Sequence, residues 1–379
     1  LKKLLIALFC LILTFTSGCW SSYEIEELAL ASAVGVDYDG TKYNLTIQII
    51  KPEIVAEKTG TDPVTTIYSS GATMFDAIRN ALSYSPKRLY WGYLQTMIFS
   101  ERALEKGLAC LIDFLSRNFE IRPIIWIAVT EKDPEELLKA KVSQDVPSGE
   151  GINAMIESQK GLSKCVHSML TQALICLGNE GRDFACALFG TTKMEDEEFM
   201  EIKGTALFRG EQYVGSIDTL ESRGLLWLMD RIKSGIIVLK APQDEKLALE
   251  ILSSKTKIKT KVDGDKIGFE VTIEVVSNLA EQTANLNPAH PDQWKELAEK
   301  QAQHVKDEAE KALRAIRNLG TDPVGFGKLL RAYHPKVWYQ VRDHWHDLLK
   351  TVPIAINVKS KLKSTGMILG DVAIYGSLE

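Results

Sequence analysis

Beyond its first twenty residues the chain has no apolar run approaching the about eighteen residues that a membrane-crossing helix needs. It has no G-x-S-x-G elbow, no G-x-x-x-x-G-K-[ST] phosphate loop and no H-E-x-x-H pair. None of its six cysteines forms a C-x-x-C pair, and none has histidines beside it at zinc-ligand spacing. An excess of basic charge is missing as well. The formal net charge is −5, and losing Lys2 and Lys3 would make it more negative. That excludes nucleic acid as the main partner, which would need a basic face, and argues against broad electrostatic binding to anionic lipid. Together these absences support no enzyme, metal or cofactor, and leave binding or assembly as the class of role.

The first twenty residues are built differently. Lys2 and Lys3 form a cationic head, residues 4–15 an apolar run, and Thr16-Ser17-Gly18-Cys19 a small-residue close. This is the three-part plan of a secretory signal peptide. As a helix at about 1.5 Å per residue, the apolar run falls well short of the ~30 Å hydrocarbon core. Ser17-Gly18 before Cys19 resembles a bacterial lipobox, in which the cysteine thiol takes a diacylglyceryl group, with or without a further N-acyl chain, and cleavage falls just before it. Thr16 stands where leucine is commoner. The alternative is an ordinary thiol beside an uncleaved anchor. On the first reading residues 1–18 are a cleaved leader, and acyl chains at about 0.8 kcal/mol per buried methylene hold the rest to a membrane.

The body alternates strand and helix patterns. Asp39-Gly40 predicts a hairpin turn, followed by Tyr43, Leu45, Ile47 and Ile49 at period two. Thr73 with Asp76 predicts a helix N-cap, and residues 104–115 a single amphipathic helix. Residues 124–129 suit a strand buried on both faces, and Asp133-Pro134-Glu135-Glu136 starts a helix. Residues 143–163 turn polar and glycine-bearing, and residues 195–201 read as an acidic hinge. Further on, residues 204–208 and 213–217 predict a hairpin, and residues 256–262 and 269–275 a second one around Asp263-Gly264. A long helix follows from Pro291 to Gly320, a second from about 324 to 349, and a last strand at 353–362. The expected class is α+β, with mixed and largely antiparallel sheets flanked by helices, in three domains. These are an N-terminal α/β domain over 19–137, a middle domain over 138–200 and a C-terminal α+β domain over 201–379.

Few side chains suggest a site. His334, Trp338, Tyr339, His344, Trp345 and His346 cluster in a helical pattern, where His344 and His346 point about 200° apart and cannot share an ion. Amphipathic packing with polar tips is the expected reading. Residues 195–198 are acidic but lack the spacing and glycine of a calcium loop. Cys110, Cys165, Cys176 and Cys186 are expected as free thiols; a disulfide among the last three is the alternative.

Several stretches together carry a family resemblance: Cys19-Trp20 with Glu24 to Ala29 and Gly35-Val36-Asp37; residues 92–100 and 118–123; Gly204-Thr205-Ala206-Leu207-Phe208; residues 223–228 and 233–237; Asp322-Pro323-Val324-Gly325-Phe326-Gly327; and Gly366-Met367-Ile368. In this order, behind a lipobox, they resemble the C subunits of bacterial spore-germination receptors, the Ger(x)C lipoproteins. The resemblance implies a non-enzymatic, three-domain lipoprotein on the outer face of the spore inner membrane. It implies A and B membrane subunits as partners, and a role in germination through assembly or signalling. It implies Cys19 as the acylation site and assigns no ligand pocket here. The competing reading is a solute-binding lipoprotein of an uptake system, with two βαβ lobes about a hinge; the hairpins at Asp39-Gly40 and Asp263-Gly264 count against it.

Overall fold

The computed structural model describes residues 24–51, 64–117, 120–142, 146–240, 246–264, 266–282 and 291–363, together with Lys2. Its first ten strands form one sheet: β1 (Leu28–Tyr38), β2 (Tyr43–Ile50), β3 (Val64–Gly71), β4 (Arg88–Tyr90), β5 (Thr96–Ser100), β6 (Trp126–Thr130), β7 (Ser168–Met169), β8 (Ala185–Met194), β9 (Glu197–Arg209) and β10 (Gln212–Asp218). The order across it is β10-β9-β8-β6-β5-β1-β2-β3, with β4 beside β1 and β7 beside β6. Its centre is parallel, β1 against β5, β5 against β6 and β6 against β8, while the flanks are antiparallel hairpins. All five residues of β6 are buried, as a strand covered on both faces requires.

Helices cover both faces. On one lie α1 (Met74–Asn80), α2 (Glu101–Leu104) and α3 (Leu108–Arg117), packed on Val34, Met97, Phe99 and Ile127. On the other lie α4 (Pro134–Lys139) and α5 (Ser148–Leu162), packed on Ala33, Ile98 and Ala128. A further helix, α6 (Leu170–Gly178), returns to the first face through Leu170 and Ala173. Local signals explain the ends. Asp39 accepts from Thr41 N and Lys42 N to fix the β1–β2 turn, where Gly40 has φ 98°. Thr73 caps α1 by accepting from Asp76 N, and Asp133 caps α4 by accepting from Glu135 N.

The second sheet is β11-β12-β13-β14, with β11 (Ile236–Lys240), β12 (Lys246–Asp263), β13 (Lys266–Gln282) and β14 (Ile354–Leu362). Before it comes α7 (Thr219–Leu228), started by a capping box between Asp218 and Glu221. Between the parallel strands β13 and β14 run α8 (Pro291–Leu319), α9 (Phe326–Tyr333), α10 (Pro335–Val341) and α11 (Trp345–Leu349). Leu297, Val305, Ala309, Ala312 and Ile316 of α8 are buried at three- and four-residue steps. Buried Gln301 donates to Ser277 Oγ and accepts from Ser360 Oγ, tying α8 to β13 and β14.

Several expectations are corrected. The helix over 104–115 is two helices, because Gly107 adopts φ 88° between them. Residues 195–196 are no hinge; they form the tight turn of the β8–β9 hairpin, with Glu195 at φ 55°. The polar stretch 143–163 holds α5, whose Gly149 and Gly151 let its backbone press close. A Cβ on Gly149 would lie 2.9 Å from that of Ala33, and one on Gly151 2.6 Å from Val142. The helix over 324–349 is broken into α9, α10 and α11, since Pro335 has no N–H with which to continue α9. Residues 138–200 contribute α5, α6, β7, β8 and the first residues of β9, and the three strands belong to the ten-stranded sheet.

Candidate functional site at the junction of the two sheets

Cys19, the one site residue named from the sequence, lies outside the described residues, as do residues 366–368. Within the described body, the densest polar construction joins the loop before β8 to the loop after α8. Backbone draws them together first: Asp183 N donates to Asp322 O at 2.9 Å, and Lys328 N to Gly181 O at 2.6 Å. Gly181 has φ 87°, and a Cβ there would lie 2.6 Å from the Gly327 carbonyl carbon. Only glycine allows that approach.

Two carboxylates occupy this contact. Asp322, 1 % exposed, accepts from Gly325 N at 2.8 Å and Phe326 N at 3.0 Å on Oδ1. Its Oδ2 accepts from Gly327 N at 2.8 Å and Trp345 Nε1 at 3.0 Å. Asp322 thus organises the first turn of α9, and Gly325 enters that turn at φ 88°. Asp183 Oδ1 accepts from Gly210 N at 2.9 Å. Asp183 Oδ2 accepts from Asp322 N at 2.6 Å and lies 2.8 Å from His346 Nε2. Trp338 Nε1 donates to Glu180 at 3.1 Å.

The electrostatics follow. Burial pushes the Asp322 carboxyl up to about 6, against the pull of its N–H donors. Burial also pulls Asp183 upward, but His346 and the Gly210 and Asp322 amides outweigh it and hold this carboxyl below its ordinary range. A cavity of about 490 Å³ opens beside the pair, lined in part by Cys176, Glu180, Arg182, Trp338 and His346. Burial raises the Cys176 thiol pKa, opposite to the shift that activates a nucleophilic cysteine. Both carboxylates are held by donors of the protein itself. The arrangement locks two bodies in one relative placement.

The histidine–tryptophan cluster read from the sequence is therefore split. Trp338, Trp345 and His346 join the junction, while Tyr339 and His344 face solvent. Asp183 carries no sequence signal of its own, and Asp322 stands out only within its motif, where an aspartate three residues before a glycine is a turn-and-cap pattern. The four cysteines of the described body are free, Cys165 and Cys186 buried and Cys110 exposed. Among the described residues no group of three or more histidine, cysteine, aspartate or glutamate side chains is arranged to hold a metal.

A second polar lock lies between α7 and α8. Arg223 Nε donates to both oxygens of Glu308 at 3.0 Å, Trp227 Nε1 donates to it at 2.9 Å, and His304 Nε2 lies 3.0 Å away. Burial alone would raise the Glu308 carboxyl, but these partners hold it below its ordinary value. Gly224 sits where the helices cross.

Comparison with known proteins covers nearly the whole chain. Residues 21–190 match the family described as spore germination protein N-terminal domain. Residues 203–366 match spore germination B3/GerAC like, C-terminal. The chain is similar to spore germination protein KC of Bacillus subtilis (strain 168), at 23 % identity over 97 % of this chain and 96 % of that protein. It is similar to spore germination protein GerQC of Bacillus cereus, at 24 % identity over 95 % of this chain and 98 % of that one. The crystal structure of the GerBC protein shares the fold, with a TM-score of 0.59 and 17 % identity, over 87 % of this chain and 96 % of that one.

Proposed function

The chain belongs to the family of spore germination receptor C subunits, the Ger(x)C proteins, and from that premise we propose that it is a membrane-anchored lipoprotein subunit of a nutrient germinant receptor, acylated on Cys19. The observation that carries the reading is Ser17-Gly18-Cys19 behind an apolar run, five residues before the first residue of the described body, Glu24. At about 3.5 Å per residue that tether reaches no more than about 18 Å. The body then lies against the outer face of the spore inner membrane, within reach of membrane partners. Among the described residues no helix is long and apolar enough to cross a membrane, which suits an anchor of lipid.

In this reading the protein works without catalysis, cofactor or metal, through assembly or signalling with the receptor's A and B subunits. The junction gives it a body stiff enough to pass on a change of position. A solute-binding lipoprotein is not favoured. That reading needs two βαβ lobes about a hinge, whereas here the second sheet is bolted to the first through buried carboxylates.

Replacing Cys19 by alanine tests the anchor. Incorporation of labelled palmitate should be lost, the protein should leave the membrane fraction of spores by about tenfold or more, and nutrient germination should slow. A Cys19→Ala protein that stays membrane-bound, with germination unchanged, would refute the proposal.

A further inference from the structure

The second sheet has one covered face and one open face, and charge divides between them. On β12, Thr256, Ile258, Thr260 and Val262 turn toward the helices, and Thr256 Oγ1 donates to the Trp227 carbonyl at 2.7 Å. With a side-chain period of two, Lys255, Lys257, Lys259 and Lys261 all project to the other side, and all are exposed. The neighbouring strands keep the division. Val271, Ile273 and Val275 of β13 are buried, leaving Glu270, Thr272 and Glu274 on the open side. On β14, Ile356 is buried while Lys359 and Lys361 face out. The register sets Lys259 opposite Glu270, and Glu274 between Lys255 and Lys359.

Glu270 and Glu274 are too few to neutralise this face. Glu270 pairs with Lys261 at 2.9 Å and Glu274 approaches Lys359 at 3.8 Å, while Lys255 reaches Asp230 at 2.6 Å. Successive lysines along β12 stand about 6.6–7 Å apart, inside the ~8–10 Å screening length of physiological salt. They repel one another, and a sheet of negative charge laid against them would remove that repulsion.

We propose that this open face docks on an anionic lipid surface, through long-range attraction between its lysines and lipid phosphates. Three features favour a membrane over an acidic protein. The cations are all lysine, and β12, β13 and β14 hold no arginine, the residue whose forked guanidinium suits bidentate recognition of carboxylates. Lysine is also depleted at the cores of protein–protein interfaces. The face carries its charges in an extended array with no apolar side chain between Lys255 and Lys261 on the open side, which suits a surface of mobile headgroups. The chain as a whole is acidic, so an anionic membrane turns this face inward and the remainder outward. Net charge over the whole chain hides the segregation.

The proposal adds a contact to the membrane placement proposed above, and the two fail separately. A chain beginning at Trp20 lacks Cys19 and keeps every contact described for residues 24–363, so its binding to vesicles reports on the lysine face alone. It should bind vesicles containing phosphatidylglycerol, ignore vesicles of phosphatidylcholine, and come off as salt rises from 0.05 to 0.5 M. Each lysine near an anionic leaflet strengthens binding about fivefold, so the double variant Lys257→Glu/Lys259→Glu should bind about twentyfold more weakly or worse. Lys257→Gln/Lys259→Gln should lie between, and Lys295→Glu/Lys336→Glu, placed on the helices, should bind as the parent does. Thermal melts matching the parent show that the variants are folded. Equal binding to both vesicle types, no binding to either, or indifference to the charge reversal overturns the proposal. If the parent protein ignores lipid charge while the charge reversal still impairs germination of the Cys19-anchored chain, the lipid proposal is overturned and the face serves an acidic protein partner instead.

Discussion

Replacing Asp322 by alanine is expected to lower the unfolding free energy by about 3–5 kcal/mol, measured by urea denaturation. The carboxylate accepts from three successive backbone amides and an indole, all buried. Alanine would leave those donors without an acceptor where water does not reach, and would unseat the first turn of α9. Asparagine keeps one acceptor oxygen but turns two N–H groups toward donors, so it should be destabilising as well. A loss below about 1 kcal/mol for alanine would show that the loop finds other acceptors and that the junction is not what locks the bodies together.

The same residue gives a pH dependence with a definite sign. Its folded pKa of about 6 lies above the ordinary carboxylate value of 3.8. The native state therefore binds this proton more tightly than the unfolded chain does, and the contribution of Asp322 to stability falls as pH rises from about 4 to 6. Asp183, held below its ordinary range, contributes in the opposite sense: its stabilisation is present above the ordinary carboxylate pKa and is lost on acidification below it. Asp322→Asn should therefore cost more at pH 4.5 than at pH 7. A cost that grows with pH would mean that the donors around Asp322 outweigh its burial.

Gly224→Val is the second large effect, at about 3 kcal/mol or more. A Cβ at residue 224 would lie 2.1 Å from the Glu308 carbonyl oxygen and 2.8 Å from the Ala312 Cβ, and neither is the end of a flexible side chain. The helices must separate, and separation pulls Arg223 and Trp227 away from Glu308, leaving that carboxylate buried with fewer partners. Gly161→Ala is the matched control. Nothing lies within 4 Å of a Cβ there, it sits near the end of α5, and alanine should raise stability by about 0.4–1 kcal/mol. If valine at 224 is tolerated as easily as alanine at 161, the crossing of α7 and α8 is looser than described.

How much of this was legible in the sequence depended on distance along the chain. Thr73 with Asp76, Asp133-Pro134, the Asp39-Gly40 turn and the repeat of α8 are short-range patterns, and each produced its element. The β12–β13 hairpin was visible around Asp263-Gly264, although it runs much further than its alternating core. What escaped depends on partners far off in sequence. The glycines of residues 149 and 151 read only as part of a polar stretch because Ser32, Ala33 and Val142, which explain them, come from elsewhere. Parallel pairing of β1, β5, β6 and β8 leaves no local mark, since each strand reads as apolar whichever neighbour it takes. His346 looked like a polar tip because Asp183 is 163 residues away. Cys19, legible from its neighbours alone, lies outside the described body.

The contact of Asp183 with Asp322 spans 139 residues, and this sets a timetable for synthesis. At about 5–20 residues per second, roughly 7–28 s pass between the emergence of the two carboxylates from the ribosome. During that interval the first sheet can complete its hairpins through β10, with Asp183 still hydrated and the seat for residues 320–327 vacant. The desolvation of both acids then falls on a single late event, after α8 has formed. A chain interrupted after β13 would carry a finished first sheet and an open wet seam.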